Sequence, residues 1–129
     1  MPYYDHNKDY PFAAFITNLG KYNEGELVGE WVKFPTTAEE LKEVFKRIGI
    51  GQKDDFGHPY EEWFITDYDC YVDGLYSKLG EYENLDELNY LASKLDEMSE
   101  SEYAQFQAGM EMGDHCGSLQ EIINLTENL

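Results

Sequence analysis

Two short runs hold the residue types that metal or nucleophile chemistry needs. Asp67-Tyr-Asp69-Cys-Tyr-Val-Asp73-Gly74 places acids two and four residues apart, as the start of a calcium loop does. An EF-hand loop also requires an acid or Asn at its fifth position, Gly at the sixth and Glu at the twelfth. Tyr71, Val72 and Lys78 stand there, so the pattern fails. Asp114-His115-Cys116 offers ligand atoms, but a structural zinc site takes four N or S ligands in paired spacing. His6, His58 and Cys70 would have to converge on it from distant places. A Cys–His hydrolase needs a cysteine beside a histidine with a third orienting group, and no nucleophile elbow or similar local motif is present. Gly20, Gly25 and Gly29 lie in a strand–loop–strand setting rather than before a helix, so they do not form a phosphate cradle. No two of the many acids stand out as a glycosidase pair. The expectation is a protein that is not an enzyme and holds no cofactor or metal.

What remains is carboxylate in quantity. The chain has 129 residues with 27 Asp and Glu against 9 Lys and Arg, a net charge of −18. Its hydrophobic content of 42% and aromatic content of 16% suffice for a core, so the acidity does not make it a disordered chain. The charge is unevenly placed. Residues 1–53 carry eight acids and seven bases, a net of −1, whereas residues 54–129 carry nineteen acids against Lys78 and Lys94, a net of −17. Such a surface repels nucleic acid and anionic membrane. Arg47 is the only arginine, so bidentate pairing can neutralise little of the excess. Tyr3, Tyr4, Tyr22, Tyr68, Tyr71, Tyr76 and Tyr82 could in principle stack bases. With so few cations nearby, packing in the core and at interfaces is the better use for them.

The elements that must position these groups follow from periodicity and caps. Phe12–Asn18 and Glu26–Phe34 read as strands around a glycine-bearing loop at 19–25, and Pro35 stops the second. Thr37 with Glu40 forms a capping box for a helix whose apolar stripe is Leu41, Val44, Phe45 and Ile48, ended by Gly49. Residues 49–60 read as a loop and Glu62–Asp67 as a third strand. Asn84 with Glu87, Ser99 with Glu102 and Ser118 with Glu121 then repeat the cap-then-Glu spacing, each before an apolar stripe. The stripes are Leu85, Leu88, Leu91, Ala92 and Leu95; Tyr103, Phe106 and Met110; and Leu119, Ile122, Ile123 and Leu125. Gly109, Gly113 and Gly117 are expected to set the break before the last helix. The fold class is therefore α+β: a small antiparallel sheet domain with one helix over residues 1–72, then an acidic all-helical domain over 73–129, elongated overall. Residues 1–11 read as a flexible lead-in.

Two cysteines make no disulfide framework. The start Met1-Pro-Tyr-Tyr-Asp-His-Asn-Lys lacks the apolar segment of a secretory signal, and no run approaches the ~20 apolar residues of a membrane span. A cytoplasmic location is expected.

The stretch Phe15-Ile-Thr-Asn-Leu-Gly-Lys-Tyr-Asn-Glu-Gly-Glu-Leu-Val-Gly-Glu-Trp31, followed by Phe34-Pro35, resembles the opening of the ArdA antirestriction proteins. Tyr60-Glu-Glu-Trp-Phe-Ile-Thr-Asp-Tyr-Asp69 is similar to a second block of that family, and Leu85-Asp-Glu-Leu-Asn89 to one of its helices. The resemblance spans about residues 12–125. It implies an acidic, curved DNA mimic encoded on mobile elements such as conjugative transposons. Such a protein occupies the DNA-binding groove of type I restriction–modification enzymes and catalyses nothing. It also implies a sheet domain, a helical middle domain and a third, α/β domain that relatives carry beyond the point matching Leu129. A two-domain chain is expected here, with homodimerisation in question for want of the third.

Under that reading the partner is the methyltransferase core of a type I enzyme, and the site is an array of carboxylates. Helix residues at i, i+3 and i+4 lie ~5–6 Å apart between Cβ atoms. Phosphates along a strand are about 6–7 Å apart given a 3.4 Å rise wound around the duplex. The candidate positions are Asp67, Asp69 and Asp73 after the third strand, and Glu81, Glu83, Asp86 and Glu87 around the first acidic helix. Asp96, Glu97, Glu100 and Glu102 follow at the joint between two helices, and then Glu111, Asp114 and Glu121. Glu87, Glu102 and Glu121 also serve as capping residues. The alternative use of the same surface is as a module that inhibits another basic DNA-binding partner, such as a nuclease or a CRISPR effector.

Overall fold

The computed structural model describes residues 10–72, 74–112 and 117–129. The lead-in expected over residues 1–11 falls largely outside them, as do Asp73, Asp114 and the His115-Cys116 pair. The chain runs β1 (Phe12–Asn18), α1 (Leu19–Asn23), β2 (Gly29–Phe34), α2 (Ala38–Arg47), β3 (Trp63–Cys70), a 3-10 turn (Tyr76–Lys78), α3 (Leu85–Glu97), α4 (Glu100–Met112) and α5 (Leu119–Glu127). The three strands form one antiparallel sheet in the order β2-β1-β3. The α+β class read from the sequence is thus the class observed.

β1 is the central strand, which is why its sequence is a nearly unbroken apolar run rather than an alternation. Six of its residues are buried and Phe15 is half-buried. Phe12, Ala14 and Ile16 face the core with Val32, Phe34, Ile65 and Tyr68. The other face carries Phe15 edge-on to Trp31, with ring centroids 5.2 Å apart.

The pairing of β1 with β3 shifts register between Phe15 and Ile16: Ile16 faces Ile65, whereas Phe15 faces Asp67. Thr66 is the extra residue, and its hydroxyl lies 3.0 Å from that of Thr17. A bulge breaks the two-residue alternation. Ile65 and Tyr68, three residues apart, therefore both reach the core. Asp67 and Asp69 are turned to the outer face; unbroken alternation would have sent them inward with Ile65.

Two expectations are corrected around α1. Residues 19–25, read as a loop, begin with a one-turn helix. Asn18 is fully buried; its Oδ1 accepts from the Lys21 amide at 3.1 Å and its Nδ2 donates to the Ile48 carbonyl at 2.9 Å. Gly20 is there because a Cβ would lie 2.6 Å from the Tyr60 ring, not because the chain must turn. The second strand starts at Gly29 rather than Glu26, since the Glu24 and Glu26 amides are bonded back to the Lys21 carbonyl. The third strand runs to Cys70, three residues beyond Asp67, because Phe12 pairs with Cys70.

Each predicted helix start has its cap. The amides of Glu40, Glu87, Glu102 and Glu121 donate to the side chains of Thr37, Asn84, Ser99 and Ser118 at 3.1–3.2 Å. Leu88, Leu91, Ala92 and Leu95 of α3, Phe106 and Met110 of α4, and Leu119, Ile122 and Ile123 of α5 are buried. They join the sheet's core residues in one continuous cluster. Gly109 does not break the chain as expected; it lies within α4. A Cβ there would come within 2.8 Å of Leu125, so glycine lets α4 and α5 approach closely.

Candidate functional site, an acidic surface

None of the described candidate acids is buried. Asp67, Glu81, Asp86, Glu97, Glu100, Glu102 and Glu111 are exposed, and Asp69, Glu83, Glu87, Asp96 and Glu121 are half-buried. Asp73 and Asp114 lie outside the described residues. Asp67 and Asp69 are placed by the β3 bulge, Glu81 and Glu83 by the segment between the 3-10 turn and α3, and most of the others by helices α3 to α5.

Those three helices begin with acids. Asp86 and Glu87 occupy the first turn of α3, Glu100 and Glu102 that of α4, and Glu121 that of α5. An acid there meets the positive end of the helix and free backbone N–H groups. At Ser99 the exchange is reciprocal: Glu102 Oε1 accepts from the Ser99 amide at 3.1 Å while Ser99 Oγ accepts from the Glu102 amide at 3.2 Å. The Ser99 amide, foremost, holds the Glu102 carboxyl below the usual glutamate range. Glu83 Oε2 accepts from the Gly80 amide at 3.0 Å, which orders the turn before α3. These acids are oriented by groups that carry no formal charge.

Phenol hydroxyls orient others. Tyr76 donates to Asp67 at 3.0 Å, Tyr10 and Tyr71 donate to Asp69 at 3.1 and 2.6 Å, and Tyr60 donates to Glu24 at 2.9 Å. Tyr90 donates to Glu127. The adjacent carboxylates make the Tyr10, Tyr60, Tyr76 and Tyr90 phenols harder to ionise, since a phenolate would face like charge. The Glu24 hydrogen bond, above all, pushes Tyr60 up to about 12. Burial is the larger cause for Tyr10, also pushed up to about 12, with hydrogen bonds to Tyr71 and Asp69 adding to it.

Of the tyrosines expected to pack in the core and at interfaces, some are in the core and others at the surface. Tyr68 is buried and Tyr71 half-buried, but Tyr22, Tyr76 and Tyr82 are exposed, and Tyr3 and Tyr4 lie outside the described residues. Tyr60, Tyr90 and the carboxylates of Glu24 and Glu127 escaped sequence reasoning. The available signal was the count: 11 Tyr exceeds the 9 Lys and Arg together.

Cations compensate few acids. Among the described residues the ion pairs are Arg47 with Glu30 and Glu40, His58 with Asp54, and Lys94 with Glu127. Among the same residues no group of three or more His, Cys, Asp and Glu could hold a metal ion. No described helix is long and apolar enough to cross a membrane. A cleft of about 550 Å³ lies between the first turn of α2 and α3, over Leu41 and Phe45, with Thr36, Thr37, Asp86 and Asn89 at its rim. Its lining holds neither cysteine nor histidine. The arrangement suits recognition of a cationic surface.

The family model described as Antirestriction protein (ArdA) matches residues 14–129. A search of the curated proteins finds no match.

Proposed function

Because the chain belongs to the ArdA antirestriction protein family, we propose that it blocks restriction as a DNA mimic, seating its carboxylates in the DNA-binding groove of a type I restriction–modification enzyme. The observation that carries this reading is the combination of family and charge: nineteen acids against two bases over residues 54–129 of an antirestriction protein. A groove that grips B-form DNA presents Lys and Arg to about one negative charge per 1.7 Å of axis. Carboxylates on a folded body can meet the same cations without base edges, because phosphate contacts position a DNA-binding protein and base contacts specify.

The function needs no catalysis. The expected site is the exposed and half-buried acids of β3 and of helices α3 to α5, with Asp73 and Asp114 included from the sequence. The partner is the methyltransferase core, since that is where the enzyme grips DNA, and the location is the cytoplasm, where such enzymes meet incoming DNA.

The experiment is competition. The protein is expected to displace a duplex from a purified type I methyltransferase at low salt, and to lose that ability steeply as salt rises. No displacement at low salt, together with capture of some other basic DNA-binding protein, would replace this reading with that of an acidic module for a different partner.

A further inference from the structure

Asp67 and Asp69 share the outer face of the sheet, opposite Phe15 and Ala13 of β1. A surface carboxylate can be left free, and a partner must then order it on binding, which costs affinity. It can be held by Lys or Arg, and its charge is then compensated before the partner arrives. A phenol offers a third way: its O–H donates a charge-assisted hydrogen bond and leaves the negative charge intact.

Both aspartates are held in the third way. Asp67 Oδ1 accepts from Tyr76 Oη at 3.0 Å and from the Tyr68 amide at 2.8 Å. Asp69 Oδ2 accepts from Tyr71 Oη at 2.6 Å and from Tyr10 Oη at 3.1 Å. The Tyr10 and Tyr71 rings meet edge to face at 5.5 Å, so each restrains the other. Lys33 is on the same face, yet its Nζ lies 5.1 Å above the Tyr10 ring. Among the described residues neither aspartate has a cation within ion-pairing distance. Tyr76 is 56% exposed, so packing explains little of its position; its hydroxyl goes to Asp67.

We infer that Tyr76, Tyr71 and Tyr10 are positioning residues of the partner-binding surface, which hold Asp67 and Asp69 in fixed orientations for the guanidinium and ammonium groups of the partner while leaving both charges uncompensated. The inference rests on the DNA-mimic reading and deepens it, because it names what keeps two of the proposed phosphate substitutes in place.

The test is a double-mutant cycle in the competition assay on the full chain, with Y76F, D67N and the pair, and likewise Y71F, D69N and the pair. Each Tyr→Phe change is expected to weaken displacement by about two- to ten-fold, the range for one ordinary net hydrogen bond. The salt slope should stay as in the wild type, since no charge is removed. Each Asp→Asn change should lower the slope. In the Asn background the Phe change should add nothing, because the tyrosine acts through the aspartate.

Ultraviolet titration of the phenols supplies a measurement that needs no tyrosine variant. The hydrogen bond to Asp67 is the main reason that the Tyr76 phenol lies above the usual tyrosine range, so D67N should bring one phenolate transition to lower pH. Wild-type displacement combined with Tyr→Phe effects that are absent, or equal with and without the aspartate, overturns this inference and leaves DNA mimicry standing. So does a phenol titration unmoved by D67N. Failure of the wild type itself to displace DNA at low salt overturns both.

Discussion

On β2 and α2, acids meet a cation. Arg47 Nε donates to both Glu30 oxygens, at 3.1 and 3.0 Å, and Arg47 Nη2 reaches Glu40 at 3.4 Å, so one arginine ties α2 to β2. Glu40, expected to close its capping box from the side chain, is turned to Arg47. Among the described residues of α3 to α5, the ion pair is Lys94 with Glu127 at 3.9 Å. The Glu102 carboxylate meets the Ser99 amide, that of Glu121 the Ser118 hydroxyl, and Glu127 also meets a phenol. The contrast separates two things that are often treated as one. A carboxylate needs its lone pairs satisfied and its geometry fixed, and amides or phenols can do both. Neutralising its charge is a different matter, and the helices do little of it.

The largest expected effect tests whether the two regions fold together. Phe12 of the sheet and Phe106 of the helices are both fully buried in the same cluster. Phe→Ala at either is expected to cost about 3–5 kcal/mol. Both should lower one shared unfolding transition in a denaturant titration. Two separate transitions would instead make residues 1–72 and 73–129 independent domains.

Next comes charge. Changing Glu97, Glu100 and Glu102 together to Gln is expected to weaken DNA displacement by roughly ten-fold at low salt and to flatten its salt dependence. The same change should not abolish activity, since an array degrades gradually. Abolition by any one of the three single changes would point to a discrete anchor instead. Added salt should move stability the other way, raising Tm by screening the self-repulsion of a chain of charge −18.

Alkali should act chiefly through the tyrosines. Tyr10 and Tyr60 are pushed up to about 12 in the folded chain, whereas an unfolded tyrosine ionises near 10. Between those values the unfolded state binds fewer protons, so stability falls as pH rises from about 10 to about 12. Denaturation midpoints across that window measure it, and Y60F should shrink the fall.

Smaller effects belong to the caps. Ser99→Ala and Ser118→Ala should each cost about 1 kcal/mol. The Glu102 carboxyl, held low by the Ser99 amide, contributes stability above the ordinary glutamate value and loses it as pH falls through its lowered one. An Arg47→Met change should cost least, because the pair is solvent-exposed. A loss of several kcal/mol there would show that the sheet depends on its cation far more than the helices depend on theirs.

The sequence by itself determined every described helix of more than one turn, because caps and 3.6-residue stripes are local signals that tertiary context did not override. It also determined the central strand, an unbroken apolar run, and the imbalance of charge on which the functional reading rests. The tertiary structure decided the rest. The bulge at Thr66 depends on a register between strands about fifty residues apart, and it decides that Asp67 and Asp69 face outward. Gly20 and Gly109 look like turn residues in the sequence, but the structure places both against side chains distant in the chain, Tyr60 and Leu125. The pairing of phenols with carboxylates, as at Tyr10 with Asp69 or Tyr60 with Glu24, also spans dozens of positions. Local periodicity carries no record of such contacts, because they form only when separate elements pack.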